Sequence, residues 1–416
     1  MHHKIGYFVP EFPGQTHAFF WRELRALKTL GVEPVLISTR LPPTHIMSHE
    51  WSEDARSSTK YLSPLSSKDC WAILLELLRC GPVSWLRIVQ SALAQCPRRR
   101  VPHALALIPF AALLSSYLRS RGVTHAHVHS CADAAFLAML ASRLSGISYG
   151  ITLHGPLSDY GPQQIQKWRY AEYAVVITQR LAKEIQSTLG SYVPKALTIA
   201  PMGVDISKFH RSIPYVPWDG RTKLKIFSCG RLNPCKGYNV LIEAVYALRN
   251  WGFKVRLEIA GADDSATSNY RTLLEDLIER LDLQGFVTLL GAISEDTVRE
   301  CLENAHIFAL ASLHEPLGVV IMEAMSMGVP VIATAAGGVP ELITDGVDGL
   351  LARPNDPITL AQMISKLAED QDLALLFSAN GRKKIETRFH PGISAAAIHD
   401  SLTCFECARP ISKARP

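Results

Sequence analysis

Residues 307–334 read IFALASLHEPLGVVIMEAMSMGVPVIAT, and this stretch decides the fold class. It predicts a short apolar strand over Ile307–Ala311, a helix that begins near Gly318, and a second strand over Val329–Thr334. Two short apolar strands joined by a helix are typical of a parallel sheet that helices cover on both faces. The stretch therefore indicates an α/β fold.

The same alternation of strand and helix runs along almost the whole chain. In the first half we predict strands at Ile5–Val9, Pro34–Ser38, His125–His129, Tyr149–Leu153, Ala174–Thr178 and Ala196–Ala200. In the second half we predict them at Leu224–Ser228, Arg256–Ala260, Phe286–Leu290, Ile307–Ala311, Val329–Thr334 and Gly349–Ala352. Two doubly wound, Rossmann-like sheets account for this pattern.

The chain has 416 residues, which is too long for one ordinary core and fits two domains of about 200 residues each. Prolines and polar residues replace the periodic pattern near residues 205–222, as in a linker. We therefore expect an N-terminal domain over 1–205, a C-terminal domain over 206–390, and a helix over 391–416 that packs back on the N-terminal domain. The two sheets are expected to face each other across a cleft, where open α/β sheets bind ligands.

One segment, from about residue 69 to 120, predicts helix after helix and no strand. It is rich in tryptophan and leucine and contains Arg98-Arg99-Arg100. Apolar and basic residues in this combination can lie on an anionic membrane. The alternative is a helical insertion that packs on the N-terminal domain, and both interpretations stay open.

Composition narrows the class of protein. Hydrophobic residues make up 48% and charged residues 19%, which is typical of a globular chain rather than a disordered or fibrous one. The net charge of +5 favours anionic ligands or surfaces but does not indicate a nucleic-acid binder. Nine scattered cysteines suggest reduced thiols and a cytoplasmic location, with peripheral contact at the inner membrane face as a further possibility.

Targeting and metal signals are weak. Residues 1–10 predict a strand rather than a signal peptide, and the longest apolar run, Ala104–Leu114, is shorter than the roughly 18 residues that a membrane span needs. Cys404 and Cys407 have metal-ligand spacing, but they supply only two of the four ligands of a structural zinc site. We expect a helix with two thiols there and no metal.

The first candidate site is Cys229-Gly230-Arg231-Leu232-Asn233-Pro234-Cys235-Lys236-Gly237, between a predicted strand and a predicted helix. The amides at a helix start and the helix dipole favour an anion at this position of a doubly wound domain. Arg231 and Lys236 add two cations that can reach a diphosphate. The alternative is a pair of ordinary surface cations.

The second candidate site is the pair Glu315 and Glu323. We expect Glu315 in the loop before the helix, where it can accept hydrogen bonds from sugar hydroxyls. The amides of Val319 and Val320 can donate to phosphate. Glu323 can accept both ribose hydroxyls, as the acidic residue of a dinucleotide site does. Two glutamates at this spacing are a weak signal by themselves.

The residues that follow make the signal specific. They include the small-residue helix Ala324-Met325-Ser326-Met327-Gly328, the turn Val329-Pro330, and the loop Gly337-Gly338-Val339-Pro340-Glu341. This run, together with Gly230-Arg231 and Lys236-Gly237, closely resembles the retaining glycosyltransferases of family 4, of the exopolysaccharide and lipopolysaccharide type. The resemblance extends over nearly the whole chain and is most specific from 225 to 352. It implies the GT-B fold, with an acceptor-binding N-terminal domain and a C-terminal domain that binds the nucleotide sugar.

The resemblance also implies roles for single residues. Arg231 and Lys236 would hold the donor diphosphate, Glu315 would contact the transferred sugar, and Glu323 would contact the ribose. The other implied donor-binding residues are Leu317, Gly318, Val319, Val320 and, near the base, Ile293. Pro316-Leu317 stands where many members have Gly-Phe, which leaves the identity of the sugar open.

The N-terminal half fits the same family. Phe12-Pro13-Gly14-Gln15-Thr16-His17 resembles its first loop, where Gly14 would let the backbone approach the donor phosphate. His154 matches the histidine of the family's Thr-x-His position, near the transferred sugar. Gln15, His129 and Asp159 are weaker candidates for the acceptor site. The alternatives are an ordinary turn at Gly14 and buried structural histidines.

The function implied is retaining transfer of a hexose-type sugar from a nucleotide-diphosphate sugar, with uridine diphosphate as the expected nucleotide. No cofactor or metal is expected. The acceptor would be a hydroxyl of a glycan, a lipid-linked glycan or a small molecule, with an anionic membrane as a possible partner and no nucleic acid. A sugar-nucleotide epimerase or hydrolase, and a non-catalytic sugar-nucleotide-binding subunit, remain as alternatives. A dinucleotide dehydrogenase is disfavoured because no strand is followed by Gly-x-Gly-x-x-Gly.

Overall fold

The structure of the protein is a computed structural model that describes residues 3–14, 17–42, 50–263 and 269–408, the last four of these by their backbone alone. The chain divides into two compact units. Unit 1 comprises Met1–Pro201 and Gly392–Pro416, and unit 2 comprises Met202–Pro391. The division thus lies just before the segment in which the sequence predicts a linker.

Unit 1 contains seven strands and eight α-helices within the described ranges. The strands are β1 (His3–Phe8), β2 (Val32–Arg40), β3 (Lys60–Ser63), β4 (His125–Val128), β5 (Ser148–Leu153), β6 (Tyr173–Val176) and β7 (Ala196–Ile199). The helices are α1 (Ala18–Thr29), α2 (Ser52–Ser58), α3 (Ser67–Leu93), α4 (Val101–Ser120), α5 (Asp133–Ser145), α6 (Gln164–Arg169), α7 (Gln179–Leu189) and α15 (Pro391–Ala408).

The strands of unit 1 form one parallel sheet in the order β3-β2-β1-β4-β5-β6-β7. The order reverses between β1 and β4, which makes their carboxyl ends the switch point where such sheets bind ligands. α15 returns to this unit from the far end of the chain. Its side chains Ala395, Ile398 and Leu402 are buried in the same cluster as Ile5 and Leu24.

Unit 2 contains six strands and seven α-helices within the described ranges. The strands are β8 (Leu224–Cys229), β9 (Val255–Ala260), β10 (Val287–Gly291), β11 (Ile307–Leu310), β12 (Val331–Thr334) and β13 (Leu350–Ala352). The helices are α8 (Tyr238–Asn250), α9 (Tyr270–Arg280), α10 (Glu295–Asn304), α11 (Val319–Ser326), α12 (Val339–Leu342), α13 (Pro357–Glu369) and α14 (Gln371–Arg388). All strands are parallel, in the order β10-β9-β8-β11-β12-β13, with the switch point between β8 and β11.

The α/β fold and all twelve predicted strands are confirmed, each within two residues at its ends. β3 (Lys60–Ser63) was not predicted, because its four half-polar residues carry no clear alternation and pair only with the edge of β2. The predicted linker is irregular in structure but is packed on unit 2. Phe209 and Tyr215 are buried, and the Tyr215 hydroxyl donates to the carbonyl of His306 at 2.8 Å.

The helix-rich segment consists of α3 and α4, joined through a short 3-10 helix at Arg98–Arg100. Ser66 begins α3 with a capping box, since its hydroxyl accepts from the amide of Asp69 and the Asp69 carboxylate accepts in return. Of the helices described, one stretch, Arg98–Ser120, is long and apolar enough to cross a membrane by length and composition, and 39% of its most apolar part is buried. Its second half packs inside unit 1, where Leu113, Leu114 and Leu118 are fully covered.

Candidate functional site

Two loops meet at the switch point of unit 2. One, residues 230–237, follows β8, and the other, residues 311–318, follows β11, the neighbouring strand. Because parallel strands present their carboxyl ends at one edge of the sheet, both predicted site segments lie together at this edge.

Gly237 brings the two loops into contact. It has a φ of 64°, and a Cβ at this position would lie 2.0 Å from the carbonyl oxygen of Ala311, so only glycine fits. The carbonyl of Cys235 also accepts from the amide of Leu313 at 2.7 Å. These contacts hold Lys236 directly beside the loop that carries Glu315.

Lys236 and Glu315 form an ion pair. The ammonium Nζ lies 2.5 Å from Glu315 Oε2, and the side chains are only 15% and 7% exposed. The hydroxyl of Ser312 donates to the same carboxylate oxygen at 3.1 Å. A charge-assisted contact in so little solvent is stronger than a surface ion pair, so both groups are held in fixed positions before any ligand arrives.

The Gly337-Gly338 loop holds the backbone of Glu315 in place. The amide of Gly338 donates to the Glu315 carbonyl at 2.9 Å. Gly337 has a φ of 60°, and a Cβ there would lie 2.0 Å from the same carbonyl oxygen. The backbone of Glu315 is therefore fixed by a loop that tolerates no side chain at Gly337.

The helix α11 begins at Val319, four residues after Glu315, as the sequence predicts. Gly318 precedes it with a φ of 95°. The first amides of a helix have no acceptor within the helix, and the dipole makes this end positive. The amides of Val319 and Val320 therefore supply anion-binding donors at the edge that carries Lys236, while the Leu317 side chain is buried beneath them.

Glu323 lies one turn further along α11 and is buried. Its carboxylate is close to the end of β8: burial, and then the charge of Glu323, raise the pKa of the Cys229 thiol to about 12. Both glutamates thus lie near the switch point. Lys236, Glu315, Glu323 and the α11 amides together offer acceptors for hydroxyl groups and donors for a phosphate.

Two other residues predicted to bind the nucleotide sugar lie further out in the same unit. Arg231 is exposed in the loop after β8, and Ile293 is half-buried between β10 and α10 at the outer strand of the same sheet. They lie at the carboxyl edge of unit 2, but their roles stay predictions.

In unit 1, His154 follows directly after β5 and belongs to a buried chain of polar contacts. The Tyr7 hydroxyl donates to Glu23 Oε1 at 2.7 Å. The same carboxylate oxygen lies 3.2 Å from His129 Nε2, and His129 Nδ1 lies 3.2 Å from His154 Nε2. The His129 side chain has no exposed surface, so it contacts His154 rather than solvent in this structure.

The pKa values of this chain follow from burial and charge. Burial raises the pKa of the Glu23 carboxyl, but the charge of His129 and hydrogen bonds from His129, Ser394 and Tyr7 outweigh it, so the pKa is lowered. Burial, and then the neighbouring His129, lower the pKa of His154 to about 3. His154 is accordingly a neutral imidazole near pH 7.

The remaining residues predicted in unit 1 have varied surroundings. Gly14 is buried, and a Cβ there would lie 2.9 Å from His17 Nδ1. Asp159 is exposed in a short 3-10 helix after β5. Gln15 lies outside the described residues. The roles of these residues stay predictions.

Two residues that lie in the sites had no predicted role. Ser312 holds the Glu315 carboxylate, and Glu23 holds His129. Glu23 had a detectable signal, since it is a carboxylate on the face of α1 that buries Phe20, Leu24 and Leu27. A buried charge on an apolar face calls for a partner.

A cavity of about 420 Å³ opens at the carboxyl edge of the unit 1 sheet. Pro10 and Ser130 line it just after β1 and β4, Ser63 lines it at the end of β3, and its apolar walls include Leu107 and Phe110 of α4. This edge is where a doubly wound sheet binds its ligand.

Comparison with known proteins finds a family match within unit 2. Residues 219–384 match the family Glycosyl transferases group 1. The matched segment contains both loops of the switch point and both glutamates.

Relatives and structures extend the likeness beyond the matched segment. The chain is 25% identical to WcaL of Salmonella typhimurium, assigned to colanic acid biosynthesis as a glycosyltransferase, over 93% of this chain and 96% of WcaL. Anabaena HepE in complex with UDP has a TM-score of 0.72 at 18% identity and covers 96% of this chain and 100% of its own. Sucrose-phosphate synthase of Thermosynechococcus elongatus has a TM-score of 0.72 at 19% identity, over 98% of this chain and 100% of its own. The two parallel sheets and these neighbours show the GT-B fold with two Rossmann-like domains.

Proposed function

We propose that the chain is a retaining, metal-independent glycosyltransferase of family 4 that transfers a hexose-type sugar from a nucleotide-diphosphate sugar to a hydroxyl group. The observation that carries this proposal is the Lys236–Glu315 ion pair at the switch point, directly before the amino end of α11. Cation, amides and carboxylate match the diphosphate and the sugar hydroxyls of such a donor.

In this reaction the bond between the sugar and the diphosphate breaks, and negative charge develops on the leaving phosphate. Lys236, Arg231 and the amides of Val319 and Val320 stabilise that charge, which is the largest contribution that such a site makes. The leaving phosphate helps to deprotonate the acceptor, which attacks from the face that the phosphate leaves. Glu315 is engaged by Lys236 and Ser312, so it orients the sugar rather than acting as a nucleophile.

Uridine diphosphate is the proposed nucleotide. The structural neighbour HepE has been crystallised with UDP, and Glu323 offers a buried carboxylate for the ribose hydroxyls. A panel of nucleotide sugars in a thermal-stabilisation assay identifies the donor, and NMR of the product gives its anomeric configuration. We expect the configuration of the donor to be retained. Inversion would refute the retaining mechanism, and donor turnover without any acceptor would favour the epimerase or hydrolase instead.

The proposed acceptor is a glycan carried on a lipid, in exopolysaccharide synthesis. WcaL is assigned to colanic acid biosynthesis, and the cavity of unit 1 has apolar walls from α4. Transfer rates to lipid-linked and water-soluble acceptors with the same sugars distinguish a lipid-linked acceptor from a free glycan. Equal rates with both would argue against a role for the lipid.

We further propose that α3 docks on the cytoplasmic face of an anionic membrane. Eight of its exposed side chains are large and apolar, each between 40% and 69% exposed: Trp71, Leu74, Leu75, Leu78, Val83, Trp85, Leu86 and Leu93. So many along α3, which is kinked at Gly81, exceed the scattered apolar residues of an ordinary surface, and the tryptophans suit the membrane interface.

The charges around these side chains select an anionic surface. Six cations of residues 67–100 are exposed: Lys68, Arg79, Arg87, Arg98, Arg99 and Arg100. The two acidic residues of this range, Asp69 and Glu76, are buried and paired with Lys60 and Arg119. The exposed charge of the segment is therefore entirely positive, as a surface that binds anionic headgroups requires.

Co-sedimentation with vesicles tests this surface. The whole chain should bind vesicles containing phosphatidylglycerol, and binding should fall when this lipid is replaced by phosphatidylcholine. Replacing Arg98, Arg99 and Arg100 by glutamine should weaken binding roughly 100-fold, because each cation near the surface contributes about 1 kcal/mol.

Two matched double variants test how much the exposed leucines of α3 contribute to membrane binding. Leu75→Ser with Leu78→Ser should abolish binding, whereas Leu375→Ser with Leu376→Ser, two exposed leucines of α14, should leave it unchanged. A wild-type chain that stays in the supernatant at every phosphatidylglycerol content would refute the docking surface.

A further inference from the structure

The strand β4 and the residue after it carry three histidines, and their partners differ. His125 Nδ1 lies 2.9 Å from the Ser148 hydroxyl, and His127 contacts the hydroxyls of Tyr173 and Thr152 at 2.9 and 2.7 Å. His129 alone lies beside a carboxylate, that of Glu23. It is also the histidine that contacts His154.

The Glu23 carboxylate is held in place by three elements of unit 1. It comes from α1, it accepts from Tyr7 of β1, and it interacts with the hydroxyl of Ser394 on α15. Its side chain is 5% exposed. Burying a carboxylate costs several kcal/mol, and an apolar side chain would satisfy the packing of α1 with no such cost.

The contacts of these three side chains show which nitrogen of His154 is left without a partner. Glu23 Oε1 lies 3.2 Å from His129 Nε2, at ion-pair distance, and His129 Nδ1 faces His154 Nε2 at 3.2 Å. Whichever of these two nitrogens carries the proton between them, Nε2 of His154 is engaged. The free nitrogen of His154 is then Nδ1, which is buried and has no hydrogen-bonding partner among the described residues.

A buried polar atom without a partner is an exception that points to a ligand or a catalytic role. The surroundings of the ring are otherwise aromatic: the Phe19 and Phe20 rings both lie 5.3 Å from the His154 ring, centroid to centroid. The Nδ1 atom therefore has a defined position and can still make one hydrogen bond.

We propose that Glu23, acting through His129, is a positioning residue that fixes the ring of His154 and so leaves Nδ1 as the nitrogen that meets a hydroxyl of the sugar substrate. The identity of the ligand rests on the proposed function, but the arrangement of Glu23, His129 and His154 does not depend on that function. That His129 contacts the acceptor stays a prediction.

Nitrogen-15 NMR of histidine in the full chain tests the positioning directly. In the wild type, a scalar coupling across the hydrogen bond should join Nε2 of His154 to Nδ1 of His129. Absence of this coupling in a folded wild-type chain would overturn the proposal. This measurement needs no substrate and no variant, so it stands even if a variant misfolds.

Glu23→Gln is the matched variant, since it keeps the shape and removes the charge. We expect loss of this coupling and a 10- to 100-fold fall in kcat with little change in the donor KM. Glu33→Gln, at an exposed carboxylate at the start of β2, should change kcat by less than threefold. An unchanged His154 spectrum in a folded Glu23→Gln chain would overturn the positioning role. Absence of transferase activity in the wild type, with the expected NMR result, would instead refute the proposed function.

Discussion

Nζ of Lys236 lies 2.5 Å from Oε2 of Glu315, although the two residues are 79 positions apart. Gly237 and Gly337 bring them together, because each leaves room for a carbonyl oxygen where a Cβ would clash. The phosphate-binding cation and the sugar-binding carboxylate of the proposed reaction are therefore assembled before the donor arrives. Such preorganisation lowers the cost of stabilising charge in the transition state.

Lys236→Gln should lower kcat/KM at least 100-fold in the full transferase assay. The amide can still donate to Glu315, so the fold should be retained, but the charge that stabilises the leaving phosphate is lost. Lys223→Gln, at an exposed lysine of the same unit, serves as the control and should be neutral. Wild-type turnover by a folded Lys236→Gln chain would remove Lys236 from the mechanism.

Glu323→Ala should weaken binding of free UDP about 10-fold or more, because the ribose hydroxyls lose their buried acceptor. Isothermal titration calorimetry measures this without any acceptor. Glu279→Ala, on the exposed face of α9, should bind UDP as the wild type does. Equal affinities of wild type and Glu323→Ala would contradict the ribose role.

Gly337→Ala should destabilise the protein strongly and abolish activity. Its Cβ would lie 2.0 Å from the Glu315 carbonyl, so the loop must move and Glu315 with it. Gly346→Ala is the matched control: its φ of 72° is equally left-handed, but a Cβ there meets open space. The control should cost only about 1–2 kcal/mol of unfolding free energy and keep its activity. Equal losses in both variants would show that strain rather than the contact with Glu315 matters.

Acid should destabilise unit 1 before the carboxyl groups titrate. Burial lowers the pKa of His127 well below its ordinary value and that of His154 to about 3. Below about pH 6.5 the unfolded state therefore binds more protons, and stability falls as the pH falls toward the folded values. By pH 5 each histidine should account for roughly 2 kcal/mol. Urea unfolding of wild type and His154→Asn at pH 7 and 5 measures this, and an unchanged pH dependence in the variant would contradict it.

Much of the fold could be predicted because strand and helix periodicity are local properties of sequence. The run Ile307–Thr334 already contains one complete strand-helix-strand unit. β3 was missed because a short edge strand has one partner and one weak apolar signal. The packing of Phe209 and Tyr215 on unit 2 was missed because scattered apolar residues in a proline-rich segment have no period.

Residues of the candidate site could be predicted where a sequence motif contains them. Contacts between residues that are distant in the sequence could not be predicted. Lys236 and Glu315 each belong to a recognisable loop, but their ion pair depends on β8 and β11 being neighbours, which no short window shows. The contact of Glu23 with His129 joins α1 to the end of β4 in the same way. A pattern reveals residue types, whereas pairing across the sheet requires the three-dimensional order of the strands.

The burial of Ala395, Ile398 and Leu402 in unit 1 has a consequence for synthesis on the ribosome. Residues 3–201 emerge first, yet their core lacks these side chains until all of unit 2 has been translated. Ser394, which interacts with Glu23, arrives at the same late moment. Unit 2, the contiguous unit, can therefore complete its fold before unit 1, and the polar chain that ends at His154 is finished only when the last helix docks.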